Sequence, residues 1–170
     1  DSPFNPLALT LGADASFIAR GLDMDPKNLR EVLKRANRHK GASFLEIYQN
    51  CNVFNDGAFS LYADKKTKKE HVIDLEHGRP LIFGSEDQLG IILDGLTPRV
   101  VKLDQDVSMN ELWIHDEKDY MKASILSRFQ NIAHEGNPLP RPMGVLYVDD
   151  RPTYEDQLHD QRKLSLEKNR

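Results

Sequence analysis

Cysteine is almost missing from this chain: Cys51 is the one thiol in 170 residues. A lone thiol closes no internal disulfide and builds no four-cysteine metal site by itself. No apolar run approaches the roughly 20 residues that cross a bilayer, so neither a spanning helix nor a membrane partner is expected. The opening, Asp1-Ser2-Pro3-Phe4-Asn5-Pro6, lacks a basic stretch followed by an apolar one, so no signal peptide is expected. It also lacks Met and is turn-like, which reads as the middle of a longer protein. A strong excess of either charge is missing too. A net charge of -4 and a pI near 5.9 give no general reason to expect a nucleic-acid partner. One unpaired cysteine without a targeting segment fits a reducing cytoplasm. Internal repeats and low-complexity tracts are absent from the sequence.

What is present suffices for a core. Apolar residues make up 39% of the chain and charged residues 29%, with a mean hydropathy of -0.59. The length suits one domain, or one domain plus an appendage. Asn5-Pro6 is an N-cap and first-turn pair for a short helix that Gly12 ends. Ala15 to Arg20, bounded by Gly12 and Gly21, reads as a buried strand. Asp25-Pro26 opens a second helix, with Leu29, Val32, Leu33 and Ala36 at helical spacing. Its end is loaded with Lys34, Arg35, Arg38, His39 and Lys40, where cations favour the helix dipole, and Gly41 stops it. Ser43 to Gln49 is the next strand. Strand, helix, strand with short connections is a βαβ unit with two parallel strands and a right-handed crossover. The loop from Cys51 to Gly57 then lies at a strand's carboxyl end, the edge where open α/β sheets bind ligands.

After Phe59 the texture changes. Lys65-Lys66-Thr67-Lys68-Lys69 reads as a solvated loop or helix end. His71–Asp74, Pro80–Phe83, Gly90–Leu93 and Arg99–Leu103 are short strand-like pieces punctuated by Gly and Pro, a pattern of hairpins or a meander in a small β-rich insert. Tyr120 to His134 carries Met121, Ile125, Leu126, Phe129 and Ile132 at helical spacing and is expected as one amphipathic helix. Gly144 to Val148 is a late strand. A polar terminal helix opens at Pro152 and runs to about Glu167, with few anchors beyond Tyr154, Leu158, Leu164 and Leu166. It reads as an arm that docks on something.

Cys51 is either a passive core residue, as free cysteines commonly are, or one part of a site completed elsewhere. Phe54, Asn55 and Asp56 follow it. Asn and Asp there either bond a ligand or serve the turn and cap the next helix. His71, Asp74 and His77 could share a helical face and a metal, though the intervening residues favour a strand or turn. His115-Asp116-Glu117 is either an acid–base pair or a helix start with acidic first-turn residues. Trp113 reads as a core or interface anchor.

Two runs carry a resemblance: Gly12-Ala13-Asp14-Ala15-Ser16-Phe17-Ile18-Ala19-Arg20, and Glu46-Ile47-Tyr48-Gln49-Asn50-Cys51-Asn52-Val53-Phe54-Asn55-Asp56-Gly57. With Leu112-Trp113-Ile114-His115-Asp116-Glu117 and Arg151-Pro152-Thr153-Tyr154-Glu155-Asp156, the chain resembles the C-terminal half of the β subunit of 2-oxoacid:ferredoxin oxidoreductases, of the 2-oxoglutarate type. The resemblance implies an α/β fold: the final βαβ of a thiamine-diphosphate-binding domain over residues 1–60, then a C-terminal extension of short strands and helices over residues 61–170. It implies oxidative decarboxylation of a 2-oxoacid, with coenzyme A taking the acyl group and electrons passing to ferredoxin. It also implies thiamine diphosphate, Mg and a [4Fe-4S] cluster as cofactors, and an α subunit as partner. The cofactor would carry the carbanion chemistry and the protein would supply position and electrostatics.

By the same resemblance Cys51 is the fourth cluster thiolate, and Phe54, Asn55 and Asp56 lie close to the cofactor pocket. Asn52 stands where many relatives are expected to have Pro, which alters loop stiffness rather than ligand count. The lysines at 65–69 would steer an acidic ferredoxin if they are not simply solvated. The family's Gly-Asp-Gly segment and its other cysteines do not occur here: Asp56-Gly57 and Asp94-Gly95 both lack the preceding Gly. Activity is therefore expected of the complete subunit and not of this piece alone. Two alternatives stay open: the same machinery acting on pyruvate or another 2-oxoacid, and a noncatalytic module that holds subunits together.

Overall fold

Asn5 caps the first helix, α1 (Pro6–Gly12), by accepting from the Ala8 N–H at 3.1 Å. Leu7 and Leu11 enter the core while Leu9 faces out. In the computed structural model, which describes residues 3–86, 88–103, 108–134 and 136–168, the next strand is β1 (Phe17–Leu22), buried throughout. It starts two residues later than the sequence suggests and runs through Gly21. That glycine is not a boundary. A Cβ there would lie 2.8 Å from Leu29 Cδ1, so Gly21 lets the following helix approach the strand. That helix is α2 (Pro26–Arg38), capped by Asp25 accepting from the Asn28 N–H at 3.2 Å. β2 (Ser43–Tyr48) pairs parallel with β1 in unbroken register, from Phe17–Ser43 to Leu22–Tyr48. The expected βαβ unit is present.

Two short helices follow, α3 (Ser60–Ala63) and α4 (Lys68–His71), then β3 (Val72–Leu75). β4 (Ile82–Phe83), β5 (Leu89–Asp94) and β6 (Thr97–Lys102) form an antiparallel meander. α5 (Tyr120–Leu126) precedes a hairpin of β7 (Ala133–His134) and β8 (Asn137–Pro138). Then come β9 (Arg141–Val148) and α6 (Tyr154–Lys168). The main sheet has the order β2-β1-β9-β3, with β9 antiparallel to β1 and parallel to β3.

Three expectations need correction. The His71–Asp74 piece does not belong to the insert: Val72 and Ile73 are buried and β3 pairs with β9 in the main sheet. β9 begins three residues before Gly144, which sits inside the strand. The segment Tyr120–His134 is not one helix. α5 stops at Leu126, where Ser127 Oγ donates to the Ser124 carbonyl at 2.8 Å and Asn5 Nδ2 donates to the Ser127 carbonyl at 2.9 Å. These bonds satisfy carbonyls that a continuing helix would have used. The turn delivers Phe129 edge-on to Trp113, ring centroids 5.8 Å apart.

One face of the main sheet packs on α2 through Phe17, Ala19, Val32, Val145 and Val148. A larger core draws Ile18, Ile73 and Leu146 against α1, α5, the meander and Trp113. No described residue of α6 is buried. Its start is fixed by a reciprocal capping box, with the Asp156 N–H donating to Thr153 Oγ1 at 3.1 Å and the Thr153 N–H donating to Asp156 Oδ2 at 3.2 Å. The last two residues of the proposed arm, 169 and 170, lie outside the described residues.

His115 is not part of a helix start, since Asp119 caps α5 through the Lys122 N–H at 2.9 Å. Its ring is buried, with Nε2 2.9 Å from the Val145 carbonyl and Nδ1 without a partner among the described residues. Burial holds its pKa below the ordinary imidazole value. The neutral ring is thus the folded form, and the unfolded chain binds the extra proton first. Stability is expected to be full above about pH 6.5 and to fall as the pH drops below it. Denaturant midpoints between pH 7.5 and 5.5 check this, and a His115→Asn variant should show a flatter dependence.

Candidate functional site

The loops that follow β1 and β2 meet at the carboxyl edge of the parallel pair. The Asp23 N–H donates to the Tyr48 carbonyl at 3.0 Å, and the Asn50 N–H donates back to Asp23 Oδ2 at 3.2 Å. Beyond them lies the tight loop of Cys51. The Asn55 N–H donates to the Cys51 carbonyl at 3.0 Å. Asn50 holds the loop from inside: Nδ2 donates to Asn52 Oδ1 at 2.6 Å and to Asp56 Oδ1 at 2.9 Å, while Oδ1 accepts from the Gly57 N–H at 2.8 Å. Gly57 takes φ +76°, a left-handed conformation suited to glycine.

Among the described residues Cys51 is exposed and belongs to none of the buried apolar clusters. The backbone N–H dipoles of Phe54, Val53 and Asn55 hold the thiol below its ordinary pKa. A thiolate stabilised in this way suits metal ligation or nucleophilic attack. Alkylation by iodoacetamide should therefore show a pH–rate midpoint below that of an unstructured cysteine peptide. A midpoint equal to the peptide's would mean that the N–H groups do not reach the sulfur in solution. Val53 and Phe54 are 82% and 91% exposed. Asp56 is engaged by Asn50, so part of its capacity goes to the loop.

An aromatic and cationic clasp supports the loop. Tyr48, before it, stacks on Phe59, after it, with centroids 4.4 Å apart. The Arg20 guanidinium lies 5.2 Å from the Tyr48 ring centre and that of Arg141 5.9 Å. Arg20 is 1% exposed, and its Nε donates to Glu46 Oε2 at 2.6 Å. Arg141 Nη2 donates to the Tyr62 hydroxyl at 2.7 Å. Sequence reasoning missed Asn50 and this clasp. The signal was an arginine inside an otherwise apolar strand, since a buried charge needs a partner.

Other sequence candidates disperse. His71 Nδ1 meets the Thr67 carbonyl at 2.9 Å, while His77 Nδ1 lies 3.6 Å from Asp116. With Asp74 they form no cluster, and no group of three His, Cys, Asp or Glu poised for a metal exists among the described residues. Glu117 pairs with Arg35 at 2.8 Å instead of acting with His115. Of the lysine run, Lys68 pairs with Asp25 at 2.6 Å and Lys69 donates to the Ser85 carbonyl at 3.2 Å. Trp113 is a core residue. A cleft of about 430 Å³ at the root of α6, lined in part by Ser16, Lys40, Arg151 and Tyr154, shares no residue with the Cys51 loop.

No protein-family model matches the chain. Among curated proteins it is 39% identical over 165 residues to the 2-oxoglutarate oxidoreductase subunit KorB of Mycobacterium tuberculosis, covering 95% of this chain and 42% of that protein. The chain is a homologue of part of the 2-oxoacid:ferredoxin oxidoreductase β subunit. This β-subunit homologue is also 38% identical over 69 residues to the 2-oxoacid:ferredoxin oxidoreductase β subunit of Saccharolobus solfataricus, covering 41% of the chain and 23% of that subunit. It spans less than half the length of either relative. Its fold matches part of the 2-oxoglutarate:ferredoxin oxidoreductase from Magnetococcus marinus, solved with 2-oxoglutarate, coenzyme A and succinyl-CoA bound. The TM-score is 0.58 at 21% identity, over 96% of this chain and 40% of that one. No helix among its described residues is long and apolar enough to cross a membrane.

Proposed function

We propose that the chain is the C-terminal portion of the β subunit of a 2-oxoglutarate:ferredoxin oxidoreductase, an enzyme that converts the 2-oxoacid to its acyl-CoA and passes electrons to ferredoxin. The 39% identity over 165 residues carries the reading. Residues 1–60 would complete a thiamine-diphosphate-binding domain and residues 61–170 form its extension, in contact with an α subunit.

In this reading Cys51 supplies one thiolate to a [4Fe-4S] cluster that carries electrons singly when bound. The residues present fit that share of the task. The thiol is exposed, and the backbone N–H dipoles of its loop lower its pKa. The chain has no second cysteine, so the other ligands belong to the rest of the subunit. Mg and thiamine diphosphate are not held by this piece alone, which lacks Gly-Asp-Gly. Phe54 would cover the cofactor with its exposed ring, Asn55 would offer it an amide, and Asp56 would steady the loop through Asn50.

The complete β subunit, joined to its α subunit under anaerobic conditions, tests the substrate. With coenzyme A and ferredoxin, kcat/KM for 2-oxoglutarate should exceed that for pyruvate by at least about a hundredfold, because a site built to pair the distal carboxylate is left unpaired by pyruvate. The opposite preference would reassign the substrate. Inactivity toward every 2-oxoacid, in a complex loaded with its cofactors, would refute the enzyme.

A further inference from the structure

We propose that Asn50 is a positioning residue for the Cys51 ligand: its side-chain amide, donor and acceptor at once, holds residues 50–57 in the shape that keeps the sulfur accessible to the cluster. The inference rests on the reading above and adds to it a residue that touches no cofactor. Every residue from 50 to 58 is exposed, Val53 and Phe54 included, so apolar packing does not shape this loop. Hydrogen bonds must do so. Among the described residues, each side-chain hydrogen bond within the loop is made by Asn50. Its nitrogen serves Asn52 and Asp56 and its oxygen serves the Gly57 N–H, so both ends of the amide are engaged.

An asparagine in a turn ordinarily serves the backbone two residues on. Asn50 reaches six and seven residues along the chain, which closes the loop on itself across Cys51. The near end is already fastened. The Asn50 N–H is held by Asp23 Oδ2 at 3.2 Å, and the Tyr48–Phe59 stack brackets the loop. The far end, at Asp56 and Gly57, depends on the amide. Aspartate has the same shape but cannot donate when ionised. In place of Asn50 its carboxylate would face the Asp56 carboxylate and the Asn52 Oδ1, acceptor against acceptor. The damage would fall on where the loop places Cys51, and groups that support a metal ligand typically matter about 10- to 100-fold to the metal's retention.

The complete β subunit, joined to its α subunit and loaded with iron and sulfide under anaerobic conditions, tests the inference. Asn50→Asp should release iron to a chelator at least about tenfold faster than the native complex and should alter the reduced-state EPR signal. Adding Asp56→Asn to it restores the pairing, because the new amide donates to the new carboxylate, which still accepts from the Gly57 N–H. Iron release should then return to the native rate. In the cofactor-free subunit the Gly57 amide should exchange at least about tenfold faster in Asn50→Asp and recover in the double variant. Native iron release from Asn50→Asp overturns the inference, and so does a double variant as labile as the single one. A native complex that binds no cluster through Cys51 refutes the proposed function, whereas unchanged iron release from a complex that Cys51 does ligate refutes the role of Asn50 alone.

Discussion

A Cys51→Ser change in the complete subunit is expected to remove the four-iron cluster and to lower 2-oxoacid-dependent ferredoxin reduction by at least about a hundredfold. Altering a group that merely supports a metal ligand already costs about 10- to 100-fold, and loss of the ligand itself should cost no less. A serine oxygen keeps the size of the side chain but lacks the soft thiolate that iron–sulfur clusters use. The loop should survive the change. Asn50 and the Asn55–Cys51 backbone bond do not use the sulfur, and Cys51 is exposed. Iron and sulfide content, the cluster's absorption and its reduced-state EPR signal report the cluster. Thermal melting reports the fold. Retained cluster signal and near-native turnover in the serine variant would remove Cys51 from the ligand set.

Gly144→Ala should destabilise the chain by roughly 3–5 kcal/mol and lower its melting temperature by about 10 °C. Two effects add. Gly144 has φ +119°, a conformation that costs a non-glycine residue about 1–3 kcal/mol. A Cβ there would also meet the Leu75 backbone oxygen at 2.9 Å and Leu75 Cβ at 3.2 Å. The oxygen belongs to a paired strand and cannot swing aside as a side chain would, so overpacking adds about 1–3 kcal/mol. At this length one kcal/mol moves the midpoint by about 2–4 °C. Gly12→Ala is the control. Nothing lies within 4 Å of its added Cβ, and alanine in the last turn of α1 should be neutral or stabilising by up to about 1 kcal/mol. Equal effects of the two substitutions would mean that the strand yields at Gly144.

The βαβ unit was legible because local chemistry decides it. Asp25 and Pro26 start α2, the apolar run marks β1, and their short links leave one topology. The Cys51 loop was placed at the sheet edge by the same argument. Glycine misled it in two places. Gly21 and Gly144 looked like ends of strands, and both lie inside them because a neighbouring element comes too close for a Cβ. The end of α5 was unreadable because Asn5, 122 residues away, takes a carbonyl there. Local periodicity carries no trace of such a partner. Within the site, the Arg20–Tyr48–Phe59 support was not legible. It needs the strands already paired to bring those rings and the guanidinium together.

β9 also fixes when the molecule can become whole. It lies between β1 and β3, yet Arg20 and the Pro142 carbonyl it reaches are 122 residues apart in the chain. Contacts so distant slow folding, because a long loop must close before they form. During synthesis β1 and β3 would each wait for a neighbour until residues 141–148 emerge. The βαβ unit can form early, whereas the full sheet is a late event. Brief exposure of β1 on the nascent chain is thus the point at which this protein is most open to mispairing.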